Sequence, residues 1–266
     1  MLNVMVANSP NGGVEFKWLE SEIKAQIDNS LRVGWDPQDI ILVANFDYEY
    51  KDVRTTIAEL NKTCLTGSKL FATRYLQTML TTLDTMWVHD LDCWQTEWFD
   101  EPEFDGDLGV ATYSRPKING GSQFWKPGGH DMVRHLTDTI VQDDLKKEEP
   151  LLNKVYKTIY KDRISILDNG FNVGCSGFKE RCARATKPWV CHFHPTNRIA
   201  WDTFVRDRNR LGIYPIPRDL RQIFVEHFWE KIRYFTYTDR ERGYPGAWSP
   251  PVPDPEEVEV LAIGVQ

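Results

Sequence analysis

The chain has 266 residues, of which 41% are hydrophobic and 27% charged, so it can bury a large core and is neither disordered nor fibrous. Five cysteines argue against a secreted disulfide framework. No opening run looks like a signal peptide and no apolar run reaches roughly 20 residues, so we expect a soluble cytoplasmic protein. The net charge of -7 is uneven: residues 1–150 carry -11, residues 151–250 carry +8 and residues 251–266 carry -4.

Strands and helices alternate in the first half of the chain. Residues 2–7 are predicted to form an apolar strand, residues 15–31 an amphipathic helix and residues 39–44 a second buried strand. Ser68 can cap a further helix, after which residues 85–89 return to strand. This order predicts an α/β fold with a mainly parallel sheet, and such sheets bind ligands beyond the carboxyl ends of their strands.

The strand at residues 85–89 runs into Asp90-Leu91-Asp92. Two carboxylates at the end of an apolar strand repel each other and are costly to bury, so something should compensate their charge. If the chain stays extended, Asp90 and Asp92 point to one side and could ligate a divalent cation such as Mg²⁺ or Mn²⁺. The alternative is that Asp90 caps a turn and Asp92 forms an ion pair.

Three weaker motifs follow. Residues 118–125 (INGGSQFW) are predicted to form a glycine turn that runs into an aromatic strand, where backbone could approach a ligand closely. Glu148 and Glu149 open a helix with Pro150 in its first turn, and helix capping alone could explain these acids. Residues 167–173 (LDNGFNV) are expected to form a turn and a short strand.

A pair of histidines lies in residues 187–195 (KPWVCHFHP), which we predict to be a short strand. His192 and His194 share one face of it and could join the carboxylates around Mn²⁺, although a core or surface role is equally open. A rival interpretation is a zinc site built from a histidine and three cysteines, whose spacing matches no paired structural zinc pattern. Those cysteines are Cys175, Cys182 and Cys191.

The order of these motifs over residues 1–200 resembles the GT-A fold nucleotide-sugar glycosyltransferases. Within them it is most similar to the retaining group that contains glycogenin and the bacterial lipopolysaccharide galactosyltransferases. The stretches that carry the resemblance are Leu2 to Asn8, Asp90 to Asp92, Asn119 to Phe124, Glu149 to Asn153, Leu167 to Asn172 and His192. The chain departs from the group in two places. Lys187-Pro188-Trp189 precedes the histidine instead of following it, and Glu-Glu-Pro stands where the group tends to have Asp-Gln.

The resemblance implies a metal-dependent, retaining hexosyl- or pentosyltransferase that uses a nucleotide-diphosphate sugar, UDP-sugar first. It implies Mn²⁺ or Mg²⁺ on Asp90, Asp92 and either His192 or His194, with Glu149 or Gln123 facing the reactive carbon of the sugar. The donor would contact Ala7, Asn8, Ser9, Asp47, Lys69, Arg74 and Asp90. A nucleotidyltransferase can also use Asp-x-Asp, but residues 8–13 lack the basic residue usual in its first loop.

The acceptor is suggested by residues 154–242, where arginines are interleaved with aromatic residues. Such a segment could hold DNA, which would make the protein similar to the bacteriophage enzymes that glycosylate hydroxymethylated DNA bases. It could equally be a set of solvated helices, with a saccharide or lipid-linked acceptor, or the whole chain could be a binding module. We expect a catalytic domain at residues 1–200, a helical acceptor-side extension at 201–244 and a proline-rich acidic tail at 245–266.

Overall fold

The computed structural model describes residues 1–9, 17–79, 84–112, 117–174 and 187–192. The α-helices within them are α1 (Lys17–Val33), α2 (Ser68–Met79), α3 (His130–Gln142) and α4 (Glu149–Lys157). The strands are β1 (Leu2–Ala7), β2 (Ile40–Ala44), β3 (Glu49–Tyr50), β4 (Val53–Ile57), β5 (Met86–His89), β6 (Cys93–Gln95), β7 (Leu108–Thr112), β8 (Ile118–Trp125), β9 (Ile164–Ile166), β10 (Val173–Gly174) and β11 (Val190–His192). Short 3-10 helices lie at Pro37–Asp39, Pro127–Gly129 and Asn169–Asn172.

Eight of the strands form one sheet, in the order β3-β4-β2-β1-β5-β8-β7-β9. Its centre is parallel, since β1 pairs in parallel with both β2 and β5, and β2 pairs in parallel with β4. The strand β8 lies between β5 and β7 and runs antiparallel to both. The predicted mainly parallel α/β sheet is therefore confirmed, and the predicted strands and helices of the first half begin within two residues of their observed starts.

Both faces of this sheet are buried, which explains the uninterrupted apolar runs of its central strands. Successive residues of β1 alternate between two apolar clusters. Val4 and Val6 pack with α2, α3 and α4, whereas Met5 and Ala7 pack with α1. The cluster on the α1 side includes the buried Trp87 ring. Burying a large apolar side chain of this kind stabilises the fold by about 1.5–3 kcal/mol. The two apolar layers therefore hold the strands, and with them their carboxyl ends, in place.

The glycine-rich stretch of residues 118–125 differs from its prediction. It does not turn: all eight residues, including Gly120 and Gly121, belong to β8, and every one of them is buried. A turn was predicted because glycine usually marks one, whereas here the glycines make room for side chains that approach the strand from elsewhere.

A second, three-stranded sheet has the order β10-β11-β6. Its strand β11 runs parallel to β10 and antiparallel to β6, and the second pairing sets His192 directly opposite Cys93. This small sheet therefore carries the late histidine back to the segment that follows β5. The turn and short strand predicted at residues 167–173 are present as a 3-10 helix followed by β10.

No helix in these described ranges is both long and apolar enough to cross a bilayer. Several predicted features lie outside the described residues. They are His194, Cys175 and Cys182, most of the basic aromatic segment, the helical extension at 201–244 and the tail at 245–266.

Candidate active site

A cavity of about 520 Å³ lies beyond the carboxyl ends of β1 and β5, where an α/β sheet is expected to bind its ligand. The starts of α1, α2 and α4 form its walls, together with the segment after β5 and the end of β11. Its volume is within the range of about 300–1,000 Å³ that is usual for small-molecule sites. Five carboxylates and two lysines line it, so the cavity is strongly acidic.

The Asp-Leu-Asp segment enters this cavity through a turn. The Cys93 N–H donates to the Asp90 carbonyl at 3.0 Å, and the Asp90 N–H donates to the Gly121 carbonyl at 2.9 Å. The extended conformation on which the sequence argument relied is therefore wrong, because the chain reverses here to begin β6. Asp90 and Asp92 nevertheless both line the cavity.

Gln26 of α1 holds this turn in place. Its buried side-chain amide donates to the carbonyls of Leu91 and Cys93, the second at 2.7 Å. Two backbone acceptors within the turn are thus fixed to a helix that is itself packed on the sheet. Nothing in the sequence pattern singles out Gln26, because its partners lie far along the chain.

His192, the last residue of β11, lies beside the carboxylates of Asp90 and Asp92. Its Nε2 is 3.1 Å from Asp92 Oδ1 and 3.8 Å from Asp90 Oδ2, and the ring is only 1% exposed. Its Nδ1 is 2.9 Å from Asn172 Oδ1, an acceptor, so Nδ1 carries a proton and donates it there. That leaves Nε2 as the ring atom that faces the carboxylates of Asp92 and Asp90 and can act as a ligand of a cation beside them. These residues therefore fit a metal ion.

Gly120 and Gly121 let the side chains of Glu148 and His192 approach β8 closely. A methyl group on Gly121 would overlap the His192 ring, since its Cβ would lie 2.9 Å from Nε2 and closer still to Cε1. A Cβ on Gly120 would lie 2.8 Å from Glu148 Oε1. The glycines were expected to let backbone approach a ligand here, and in the structure the backbone of β8 approaches two side chains of the cavity wall.

Lys69 of α2 is the buried counter-ion of the site. Its Nζ lies 2.5 Å from Asp90 Oδ1 and 3.5 Å from Glu148 Oε1, and it also donates to the Thr66 carbonyl at 3.0 Å. Burial by itself would lower the pKa of this ammonium, but the two carboxylates outweigh burial and raise it. Lys69 therefore stays charged although its side chain is only 2% exposed.

Asp90 titrates unusually for an aspartate. Burial, together with the nearby Asp92 carboxylate, raises its pKa to about 6 against the opposing effects of Lys69 and His192. Removing this carboxylate from water disfavours its charged form, and only cations in the cavity offset that cost.

Glu148 is more deeply buried than its neighbour Glu149. Its side chain is 2% exposed, and its Oε2 atom accepts no hydrogen bond from the described residues. It is the N-cap residue of α4, but its side chain makes no capping hydrogen bond to the helix. Glu149 also lines the cavity and accepts a hydrogen bond from the Gly120 N–H at 3.1 Å.

Of the residues expected at the donor, Asn8 and Lys69 line the cavity together with Asp90. The Asn8 side chain donates to the Ser68 hydroxyl at 2.6 Å and to the Asn61 carbonyl at 2.8 Å. This links the end of β1 to the start of α2. The neighbouring residues are placed differently, because Ala7 is buried in the core and the Ser9 N–H donates to Asn45 Oδ1 at 2.8 Å.

Other residues named from the sequence lie away from the cavity lining. Arg74 pairs with Asp138 of α3 at 2.6 Å, on the outer side of α2. Asp47 is 64% exposed and lies 3.6 Å from Arg54. Gln123 is fully buried, donates to the Gly120 carbonyl at 2.9 Å, and accepts a hydrogen bond from the Trp125 indole.

Sequence reasoning missed four residues that shape the site. Gln26 and Asn172 position its groups, Glu148 contributes a second buried carboxylate, and Cys93 lies beside His192. A signal existed for Cys93, which directly follows Asp92. Asn172 stands inside the LDNGFNV motif, but its partner could be known only from the fold.

No protein-family model matches the chain, and none of the curated proteins is similar to it in sequence. Solved structures are similar in fold. A glycosyltransferase involved in the glycosylation of the major capsid of PBCV-1 is 10% identical with a TM-score of 0.51, over 77% of this chain and 100% of that one. The galactosyltransferase LgtC, solved with donor and acceptor sugar analogs, is 13% identical with a TM-score of 0.52, over 84% and 100%. The glycosyltransferase GlyE of Streptococcus pneumoniae is 14% identical with a TM-score of 0.50, over 81% and 66%.

These likenesses show the fold. The chain has the mostly parallel sheet and flanking helices of the GT-A glycosyltransferases, as its resemblance implied. At identities of 10–14% the comparison does not extend to substrates. What the protein does must therefore be argued from its own cavity.

Proposed function

We propose that the protein is a metal-dependent glycosyltransferase that moves a sugar from a nucleotide-diphosphate sugar to an acceptor hydroxyl. The observation that carries this proposal is the meeting of Asp90, Asp92 and His192 in an acidic cavity of the GT-A fold. A diphosphate would be repelled by the carboxylates there, so the donor needs a cation. Three ligands on a turn and a strand end can hold one.

In this proposal Asp90, Asp92 and His192 hold Mn²⁺ or Mg²⁺. When bound, the ion neutralises the diphosphate and stabilises negative charge on the leaving group. Asn172 keeps the His192 Nε2 lone pair directed at the ion through its hydrogen bond to Nδ1. Lys69 fixes the rotamer of Asp90 through the ion pair at 2.5 Å.

Glu148 and Glu149 are the carboxylates that we assign to the sugar. The Oε2 of Glu148 can accept a hydrogen bond from a sugar hydroxyl, which would satisfy a buried acceptor. Glu149 lines the cavity and Gln123 does not, which supports Glu149 as the group nearer the reactive carbon. The bond between that carbon and the diphosphate oxygen breaks as the bond to the acceptor oxygen forms. The acceptor proton leaves to the diphosphate. A retaining outcome is part of the proposal.

We further propose a UDP-sugar as the donor and a hydroxymethylated base in phage DNA as the acceptor to test first. The net charge of +8 over residues 151–250 supports a polyanionic acceptor, because neutralised phosphates supply most of the affinity in DNA binding. A saccharide acceptor is the alternative. It would leave the basic charge of that segment without a ligand.

The first experiment is a thermal-shift panel of UDP, GDP and CDP, each with and without Mn²⁺. A ligand at a hundredfold excess over its Kd stabilises the folded state by about 2.7 kcal/mol, which raises the melting temperature measurably. The shift should require Mn²⁺ and should be lost in Asp92→Asn. It should persist in Asp47→Asn, which removes an exposed carboxylate outside the cavity lining.

No shift with any nucleotide would overturn the proposal. A shift from nucleoside triphosphates alone, with pyrophosphate release, would instead favour a nucleotidyltransferase. The acceptor is tested by UDP release from a UDP-sugar in the presence of hydroxymethylated DNA, with unmodified DNA as the matched control. Release stimulated equally by both, or by neither, would remove the DNA base from the proposal.

A further inference from the structure

Cys93 places a sulfur atom beside two of the candidate metal ligands. Among the described residues, one group of His, Cys, Asp and Glu side chains has ligand atoms that all lie within 4.8 Å of one another. It consists of Asp92, Cys93 and His192. Asp90, which is paired with Lys69, does not belong to this group. The tightest cluster of ligands therefore contains a thiol.

The backbone fixes this juxtaposition. Cys93 opens β6 directly after Asp92, and the antiparallel register sets it opposite His192 on β11, so the two side chains share a face. The Cys93 thiol donates to the Gly121 carbonyl at 3.0 Å, and the His192 ring packs on the Cα of that same glycine. Sulfur and imidazole thus converge on one residue of β8.

We propose that Asp92, Cys93 and His192 form a binding site for a thiophilic divalent cation, with Zn²⁺ as the preferred ion. Thiolate, imidazole and carboxylate are the ligand types that Zn²⁺ takes, and a soft sulfur ligand favours Zn²⁺ over Mn²⁺ or Mg²⁺. Zinc with three protein ligands and an open fourth position is the arrangement of catalytic rather than structural sites. Two of the three ligands, Asp92 and His192, line the cavity.

The geometry requires only small side-chain movements. His192 Nε2 and Asp92 Oδ1 are already 3.1 Å apart, and the sulfur must close part of the remaining distance, since Zn²⁺ holds its ligands at about 2.0–2.3 Å. Cys93 binds as the thiolate, and its proton leaves to solvent.

Zinc at this site shares Asp92 and His192 with the donor metal, so the two ions exclude each other. That competition rests on the proposed function, whereas the zinc site itself rests on geometry alone. We expect Zn²⁺ to inhibit a reaction supported by Mn²⁺, and excess Mn²⁺ to weaken the apparent affinity for Zn²⁺.

The test uses Co²⁺ as a spectroscopic probe of the full chain, without any nucleotide. A thiolate on Co²⁺ gives an intense near-ultraviolet charge-transfer band, which we expect in the wild type. The band should vanish in Cys93→Ser. Zn²⁺ affinity measured against a chelator should fall by more than the roughly 10- to 100-fold that is typical when only a group orienting a ligand is lost. The matched control is Cys191→Ser, which alters the neighbour of His192 on the same strand and should retain the band.

Three results would overturn the inference. Absence of the band in the wild type means that no thiolate binds the metal. A band lost in Cys191→Ser and kept in Cys93→Ser would move the ion to the rival site of Cys175, Cys182 and Cys191. If Cys93→Ser does not fold, X-ray absorption of the zinc-loaded wild type decides: one sulfur neighbour supports the site, and none or three refutes it. Because no nucleotide is used, failure here is distinct from failure of the donor-binding panel.

Discussion

Replacing Gly121 with alanine tests whether the cavity depends on close packing against β8. The new methyl group would lie 2.9 Å from His192 Nε2 and closer to Cε1, whereas carbon atoms pack favourably at about 3.5–4.0 Å. The ring must therefore move by about 1 Å or more, which also breaks its 2.9 Å hydrogen bond to Asn172. Both the position and the orientation of Nε2 are then lost.

Overpacking of this kind costs about 1–3 kcal/mol, and in a protein of this size each kcal/mol lowers the melting temperature by about 2–4 °C. The loss of function should be larger than the loss of stability. We expect the affinity for Mn²⁺ with UDP to fall by about 10- to 100-fold, as happens when the groups that orient a metal ligand are removed.

Gly109→Ala is the matched control. Its methyl group would lie 2.9 Å from Leu167 Cδ1, the flexible end of a side chain, in the same sheet and outside the cavity lining. It should cost less stability and leave metal affinity unchanged. Calorimetric titration and thermal unfolding of both variants provide the measurement. A Gly121→Ala protein with wild-type stability and metal affinity would refute the packing argument.

Four further predictions follow from single contacts. Lys69→Met should destabilise the fold by about 3–5 kcal/mol in chemical denaturation, because Asp90 and Glu148 lose their buried counter-ion. A loss below about 1 kcal/mol would contradict that role. Asn172→Leu should weaken metal binding by about 10- to 100-fold. Asn172→Asp should bind metal as the wild type does, because its carboxylate can still accept the hydrogen bond from His192 Nδ1. Equal affinities of the two variants would contradict a role of Asn172 in positioning His192. Asp144→Gly should raise stability by about 1 kcal/mol, because Asp144 follows the C-cap of α3 at φ 47°, and a left-handed conformation costs a non-glycine residue about 1–2 kcal/mol. The exposed ion pair with Lys146 that is lost offsets only part of this gain, and an unchanged melting temperature would refute the prediction. Arg163 lowers the pKa of Asp131 to about 2, so their pairing stabilises the fold above about pH 4 and is lost as pH falls toward 2. Asp131→Asn should flatten that part of the pH–stability curve slightly, since the pair is partly exposed.

Local patterns in the sequence determined the central strands of the sheet. The strands β1, β2 and β5 are continuous apolar runs because both of their faces are buried, and such runs are visible without knowledge of their neighbours. The same alternation of strands and helices predicted that Asp90 and Asp92 lie at the edge of the sheet formed by the carboxyl ends of its strands. The carboxyl ends of parallel strands meet at one edge, so sequence alone could place these residues at a binding site.

Only the tertiary structure decided how the site is assembled. Gly120 and Gly121 belong inside β8 because the side chains of Glu148 and His192 occupy the space above them, and those residues lie far along the chain. The pairing of β6 with β11 sets Cys93 opposite His192. These contacts join segments without any local periodicity, so no pattern in the sequence could have predicted them.

Arg74 and Lys69 illustrate the same limit on one helix. Both are basic residues on α2, and the sequence offered them equally as ligands of the donor. The packing of α2 directs Lys69 into the cavity toward Asp90 and turns Arg74 outward to Asp138 on α3. Composition and spacing determined which residues carry charge. The site can use only the charge on the buried face of the helix, because only a buried ion pair is shielded from water. The tertiary packing decides which face that is.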